Sequence, residues 1–441
     1  MTGVLAAARG FVRQHPLGFL VVVAGVARVL WALEGSRPAS QLDDPFAYTF
    51  LATQVSNGLG YRYALGGRHT AYFPIGFPGS LGIWFWMLRA LPWTIPPHAM
   101  ATMFNFVPSL AIVVFTYLIA RTLYGARIAF IAGLFVALWP NLIFHSAIAM
   151  SETLFIALFL GALYVLIAKP WDRVPSTARL VVAGVLLGAS ALVRPLTLLW
   201  LPIIAIVFYV AVRSWKRALA GAGIVTLTVA LVLLPWTIRN TRTFHSLVVI
   251  STNSGDDLCI GHNPHANGTY DFVPECLGTD AERADEPLHD SRNRHRAFDY
   301  AIHHPQREVA LLFSKTYYTL RDDHDALSVM GPYLRTADKS HHTYRLVFAL
   351  VADAWFWAMA TLALLAVTQR RRDGDVRRRF LFFAAAALAI APLVFFGSPR
   401  FKVPLEPFLA IAAAVTVDRL LSRTPSDAAN GPPRTAPAYR P

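Results

Sequence analysis

The chain has 441 residues, 55% of them hydrophobic and only 15% charged, whereas a soluble domain carries roughly 25% charged residues. That composition excludes an ordinary soluble globular protein and indicates a polytopic membrane protein. The net charge of +14 does not call for a nucleic-acid partner, because the basic residues cluster in short loops between apolar runs, which is how a membrane chain sets its orientation.

Crossing the hydrocarbon core takes roughly 20 apolar residues in a helix, about 17 at the least. In chain order such runs lie near 17–34, 99–120, 127–146, 152–168, 179–195, 197–212, 217–236, 346–368, 380–396 and 403–420. The first follows Arg9 and Arg13 and is not closed by a small-residue cleavage site, so it is read as a retained helix. An eleventh run, 76–91, is short, begins among Pro74, Gly76, Pro78 and Gly79, and carries Trp84, Trp86 and Arg89, a composition suited to a helix lying in the interface.

Charge decides the topology. The basic loops RTLYGAR, KPWDRVPSTAR, VRSWKR and QRRRDGDVRRR fall on one side with the N-terminus only if residues 76–91 do not cross. Ten spanning helices with both termini cytoplasmic are therefore expected. An N-terminal bundle (1–236) contains the first outer loop (35–98). An extracytoplasmic loop subdomain (237–345), C-terminal helices (346–420) and a Pro- and Ala-rich cytoplasmic tail (421–441) follow. In the long loop, the β-branched and turn-rich start predicts a short strand or extended segment. Residues 281–320 predict two helices parted at His304-Pro305. The loop holds both cysteines, Cys259 and Cys276; a disulfide and two free thiols stand as equal alternatives.

This topology brings Asp43, Asp44, Glu152, Arg194, Arg239, Arg400 and Lys402 to the outer face. A carboxylate such as Asp44 at a membrane boundary serves as a general base, a metal ligand or a helix cap, since Asp followed by Pro is a common helix start. There is no Walker or Rossmann motif, so ATP is not indicated, and the histidine spacings in the long loop make no metal site.

The stretch from Asp44 to Leu91, with Asp44, Tyr48, Ala52, Gly58, Gly60, Pro74, Gly76 and Pro78 at their spacings, resembles the first outer loop of the GT-C superfamily of membrane glycosyltransferases. It is most similar to the bacterial family-39 type, related to protein O-mannosyltransferases and to the aminoarabinose transferases that modify lipid A. MSETLF around Glu152, LVRPLTLLWLP, PWTIRNTRTFHSL, HHPQREVALLFSKTY and SPRFKVPLEPF continue the resemblance through most of 17–420. One departure is Pro45, where many relatives carry Glu; the additional acid here is Asp43, and the spacing to Tyr48 favours Asp44 as the reacting residue.

The resemblance implies an all-α GT-C bundle that transfers a sugar, with inversion, from a polyprenyl-phosphate donor to an envelope glycan, lipid or protein. The setting implied is a bacterial inner membrane with the site facing outward. Asp44 is then the general base, with Asp43 and Glu152 beside it. Arg400, Lys402, Arg194 and Arg239 are the candidates to hold the phosphate, and Tyr48 and Tyr72 to line the sugar site. No cofactor is assigned; some GT-C relatives use a divalent metal and others do not. The rival reading is a polytopic transporter or a flippase or ligase of lipid-linked glycans.

Overall fold

Every named element is a helix in the computed structural model, which describes residues 14–39, 43–63, 67–171, 173–271, 273–333, 342–368 and 375–422. All but the first two residues of the expected tail lie outside the described residues. The first span is α1 (Pro16–Gly35). It is followed by α2 (Asp44–Ser56) and α3 (Gly76–Leu88), 13 residues each and so about 20 Å long. That is too short to cross a core of about 30 Å, so the run at 76–91 does not span.

The bundle continues with α4 (Pro97–Tyr124), α5 (Ala126–Ala137), α6 (Pro140–His145), α7 (Glu152–Ile167) and α8 (Thr177–Val193). A 3-10 turn (Pro195–Leu199) leads into α9 (Trp200–Val212) and α10 (Trp215–Phe244). The long loop holds α11 (Ser254–Gly261), α12 (Pro274–Leu277), α13 (Asp280–Ala284), α14 (Glu286–His303), α15 (Pro305–Leu320) and α16 (Asp325–Met330). The chain then returns through α17 (His342–Thr368), α18 (Val376–Val394) and α19 (Glu406–Ser422). Among the described residues five segments, Pro16–Gly35, Pro97–Tyr124, Pro195–Val212, Trp215–Phe244 and Thr343–Ala366, are long and apolar enough to cross a membrane, and α5, α7 and α8 are shorter apolar helices.

Three details differ from expectation. The run 127–146 is not one helix, because Pro140 cannot donate back into the turn before it; α5 stops at Ala137 and α6 starts anew. The fully buried Arg28 of α1 donates to the freed Ala137 carbonyl (3.0 Å) and to Ser109 Oγ (3.0 Å), which supplies the partner that the broken ladder removed. Second, α10 runs past 236 to Phe244, where its polar last turns grip the loop: Trp236 Nε1 donates to the Ile250 carbonyl (2.7 Å). Third, the start of the long loop forms no strand; among the described residues only isolated bridges occur, Arg62 with His69 and Thr269 with Gly397. The break at His304-Pro305 lies where the sequence predicts it.

The two ends of the bundle differ in chemistry. At one end the basic loops cap helix C-termini: Arg179 donates to Val165 O (2.9 Å), Arg377 to Ile167 O (3.1 Å) and Arg378 to Leu123 O (2.8 Å), and Arg127 pairs with Asp418 (3.0 Å). The acids and the long loop occupy the other end.

Close helix contacts rely on small residues, as in membrane bundles generally. A Cβ on Gly184 or Gly188 of α8 would lie 2.6 Å from Thr228 or 2.7 Å from Val232 of α10. A Cβ on Gly76 would stand 2.5 Å from the Leu192 and Val193 backbone, next to Arg194, so this glycine seats the first loop against the end of α8. Replacing Gly76 by Ala is expected to cost about 1–3 kcal/mol through overpacking against an unyielding backbone. A thermal-unfolding midpoint equal to wild type in lipid nanodiscs would refute that seating.

Candidate active site

The first turn of α2 is set by its caps. Asp43 is the N-cap, its side chain accepting from Phe46 N (3.2 Å), and Pro45 occupies the opening turn. Asp44 is thereby the first helical residue, and Tyr48 follows one turn later, buried with its ring against Phe73 (5.1 Å) and Phe77 (5.3 Å). Glu152 opens α7 with its side chain fully buried. Arg194, the C-cap of α8, donates to Glu152 and to Ser151 Oγ (3.2 Å). Arg400, in the turn before α19, donates through Nε to Glu152 and through Nη1 to Asp44.

Four residues from four separate segments thus form a chain of three ion pairs, Arg194 to Glu152, Glu152 to Arg400 and Arg400 to Asp44. Glu152 is closed off at 0% side-chain exposure, while Asp44 keeps 29% and Arg400 26%, so the Asp44 to Arg400 edge is the accessible one. Beside α2 lies a cavity of about 230 Å³, walled by Pro45, Phe46, Thr49 and Phe50 and by Ile148 and Met330.

The other expected residues are placed elsewhere. Lys402 is buried and bound to Asp323 (2.9 Å), with its ammonium 4.7 Å from the Phe356 ring centre. Arg239 braces the first loop, donating to Thr70 O (2.8 Å) and Tyr61 O (3.1 Å) and stacking on Trp236 (4.7 Å). Tyr72 donates to Asp256 Oδ2 (2.9 Å). Neither Lys402 nor Arg239 is bonded to Asp44 or Glu152.

Sequence reasoning missed Asp257. It belongs to α11, whose backbone reaches α14 so closely that a Cβ on Gly255 would fall 2.1 Å from the Asp290 carbonyl. A disulfide between Cys259 and Cys276 holds the same helix from the other end. Burial, then the charges of Asp256 and Asp44, push the Asp257 carboxyl up from its ordinary 3.8 to about 7. The signal in the sequence is the S-G-D-D run, a glycine directly before two acids.

No protein-family model matches the chain, and no curated protein matches it in sequence. Solved structures do. The archaeal oligosaccharyltransferase AglB from Archaeoglobus fulgidus, in complex with an inhibitory peptide and a dolichol-phosphate, superposes with a TM-score of 0.56 at 14% identity, over 97% of this chain and 53% of that one. The same organism's oligosaccharyltransferase in complex with Zn and sulfate gives 0.55 at 16%, over 92% and 49%. ArnT from Cupriavidus metallidurans, bound to undecaprenyl phosphate, gives 0.54 at 16%, over 91% and 60%. The chain has the GT-C fold. It spans about half the length of the oligosaccharyltransferases it matches.

Within this GT-C bundle the donor set does not fit a divalent cation. Asp44 and Glu152 are bridged by the Arg400 guanidinium, a fixed cation where a metal would have to stand. Among the described residues no group of three or more His, Cys, Asp or Glu is placed to hold one.

Asp257 yields a pH signature. With its folded-state value at about 7 and its ordinary value at 3.8, the native state binds a proton that the unfolded state has lost between these values. Stability therefore falls as pH rises through that window. Asp257→Asn should flatten this decline in thermal-unfolding midpoints measured from pH 4.5 to 7.5; an unchanged slope would place the titration elsewhere.

Proposed function

We propose that this chain is a membrane glycosyltransferase that moves a sugar, with inversion, from a polyprenyl-phosphate donor to an extracytoplasmic acceptor such as an envelope glycan, lipid or protein. The observation that carries the reading is the accessible Asp44 carboxylate held by Arg400 at the loop-bearing end of the bundle, beside a cavity with largely apolar walls.

A lipid phosphate leaves as a stable anion, so the enzyme needs cations more than a general acid. Arg400 and Arg194 supply two guanidiniums, which bind phosphate oxygens in a fork. Glu152 holds both in place. Asp44 takes the proton of the acceptor hydroxyl, and the freed oxygen attacks the anomeric carbon opposite the phosphate. The bond from that carbon to the phosphate oxygen breaks, and its electron pair leaves with the phosphate. The cavity beside α2 suits part of an apolar tail. AglB and ArnT, solved with dolichol-phosphate and undecaprenyl phosphate, support the donor class.

The disulfide in the long loop supports an oxidising compartment for this end of the bundle. It agrees with the basic loops gathered at the opposite end, and both support a site facing outward, in keeping with the inner-membrane setting proposed.

Asp44→Asn should lower kcat by about 10²–10⁴-fold in lipid-reconstituted protein supplied with a polyprenyl-phosphate sugar, with the unfolding midpoint near wild type; retained turnover would sink the general-base role. Arg400→Lys keeps the charge and loses the fork, so it should raise the donor KM and lower kcat together. An effect on neither would separate Arg400 from the phosphate.

A further inference from the structure

A second cavity, also about 230 Å³, lies where the first loop meets the disulfide-clamped loop and is walled by Tyr63, Tyr72, Asp256, Glu286, His289 and Leu277. We propose that this cavity is a saccharide subsite, taking one sugar ring that presents hydroxyl or ammonium donors to its carboxylates. The proposal deepens the transferase reading, and rests on it only for where the sugar comes from.

Its walls are built and held. Asp256, 3% exposed, receives the Tyr72 hydroxyl (2.9 Å), Asn293 Nδ2 (2.7 Å) and His289 Nε2 (2.9 Å). Glu286 Oε2 accepts from Ala71 N (2.9 Å) and Thr252 Oγ1 (3.0 Å). Glu286 thus ties the first loop to the second. The Cys259–Cys276 bridge and the capping box of Thr279 and Glu282 fix the segments on either side.

Two atoms are left over. Glu286 Oε1 and His289 Nδ1 are buried without a hydrogen-bond partner. A buried polar atom left unpaired costs about 1–3 kcal/mol, and such groups in a folded protein call for an explanation. Burial also raises the Glu286 carboxyl and the Tyr63 and Tyr72 hydroxyls above their ordinary values. A ligand that donates to Glu286 answers this deficit.

The chemistry of the walls selects the occupant. Tyrosine rings offer flat apolar faces to the C–H groups of a pyranose, and carboxylates accept from its hydroxyls. Two acids disfavour an anionic head group. Arg283 at the rim does not offset them, because it already donates to Gly278 O (2.8 Å) and pairs with Asp280. The volume lies below the roughly 300–1,000 Å³ of drug-sized ligand sites, which limits the occupant to about one ring. Asp256 directly precedes Asp257, whose carboxyl feels the charge of Asp44, so this cavity and the candidate active site draw on neighbouring residues of α11.

The test uses the full chain in lipid nanodiscs and saturation-transfer NMR, with methyl glycosides of a neutral hexose and of a hexosamine as probes. Leu277→Trp fills the mouth without touching a polar contact, and Tyr63→Phe removes one hydroxyl. Wild type should transfer saturation to at least one glycoside; Leu277→Trp should abolish it, and Tyr63→Phe should weaken binding about tenfold, the value of one good hydrogen bond. No saturation transfer in wild type, or an undiminished signal in Leu277→Trp, overturns the subsite.

Kinetics of Leu277→Trp then locate the source. A raised acceptor KM with unchanged donor KM assigns the ring to the acceptor, and the reverse assigns it to the sugar being transferred; both unchanged would overturn the proposal. Absence of sugar transfer by wild type from any polyprenyl-phosphate sugar would defeat the transferase reading while leaving the NMR result standing, so the two failures are distinguishable.

Discussion

The Arg400 guanidinium between Asp44 and Glu152 is the contact on which the rest of the site depends. Positions 44, 152, 194 and 400 have no local reason to meet, and what draws them together is charge removed from water. An ionised side chain taken into a protein interior loses several kcal/mol of solvation, and removing the fully buried Glu152 would cost about 3–5 kcal/mol because its arginines are left uncompensated. Two acids and two arginines close that account: Glu152 is shared by Arg194 and Arg400, and Arg400 reaches on to Asp44. The four segments must therefore be brought together in the folded state.

Arg400 would wander without support below it. Two residues on, Lys402 binds Asp323, which also accepts a hydrogen bond from Trp139 Nε1 (2.9 Å). Nearby Asp325 contacts His145 (3.2 Å) and accepts from Asn141 (2.7 Å), which in turn donates to Glu406 (3.2 Å) at the head of α19. The network anchors both ends of the turn 399–405 to α6 and to the end of the long loop. It also rationalises the break after Ala137: the short α6 presents Asn141 and His145 to this cluster, which one uninterrupted helix through 127–146 would not do in the same register.

Much of this was legible in the sequence. Apolar length and the sidedness of Lys and Arg located the bundle helices and argued against a crossing at 76–91, while boundary position and the resemblance to GT-C enzymes pointed to Asp44, Glu152 and Arg400. The remainder depended on partners, which sequence does not display. Lys402 and Arg239 have the same charge and boundary position as Arg400, yet a buried acid claims the first, and backbone carbonyls and an indole claim the second. Asp257 looked like one more acid in a hydrophilic loop; the close approach at Gly255 seats α11 against α14, and only in the folded loop does the carboxyl feel the charge of Asp44. The disulfide could not be decided from two cysteines because their distance, 5.8 Å between Cα atoms, is a property of the folded loop.

The same charge balance gives the proposed reaction its internal logic. Arg400 holds Asp44 through Oδ2, which leaves Oδ1 for an acceptor hydroxyl. When Asp44 takes the proton it becomes neutral and no longer compensates Arg400. At that moment the leaving phosphate gains negative charge as the glycosidic bond breaks. In the proposed reaction Arg400 exchanges one anion for the other, and the site keeps its net charge while the negative charge shifts from the carboxylate to the phosphate. Electrostatic stabilisation of this kind is effective because the cation is already positioned where charge develops, and the pair Glu152 and Arg194 is what holds it there.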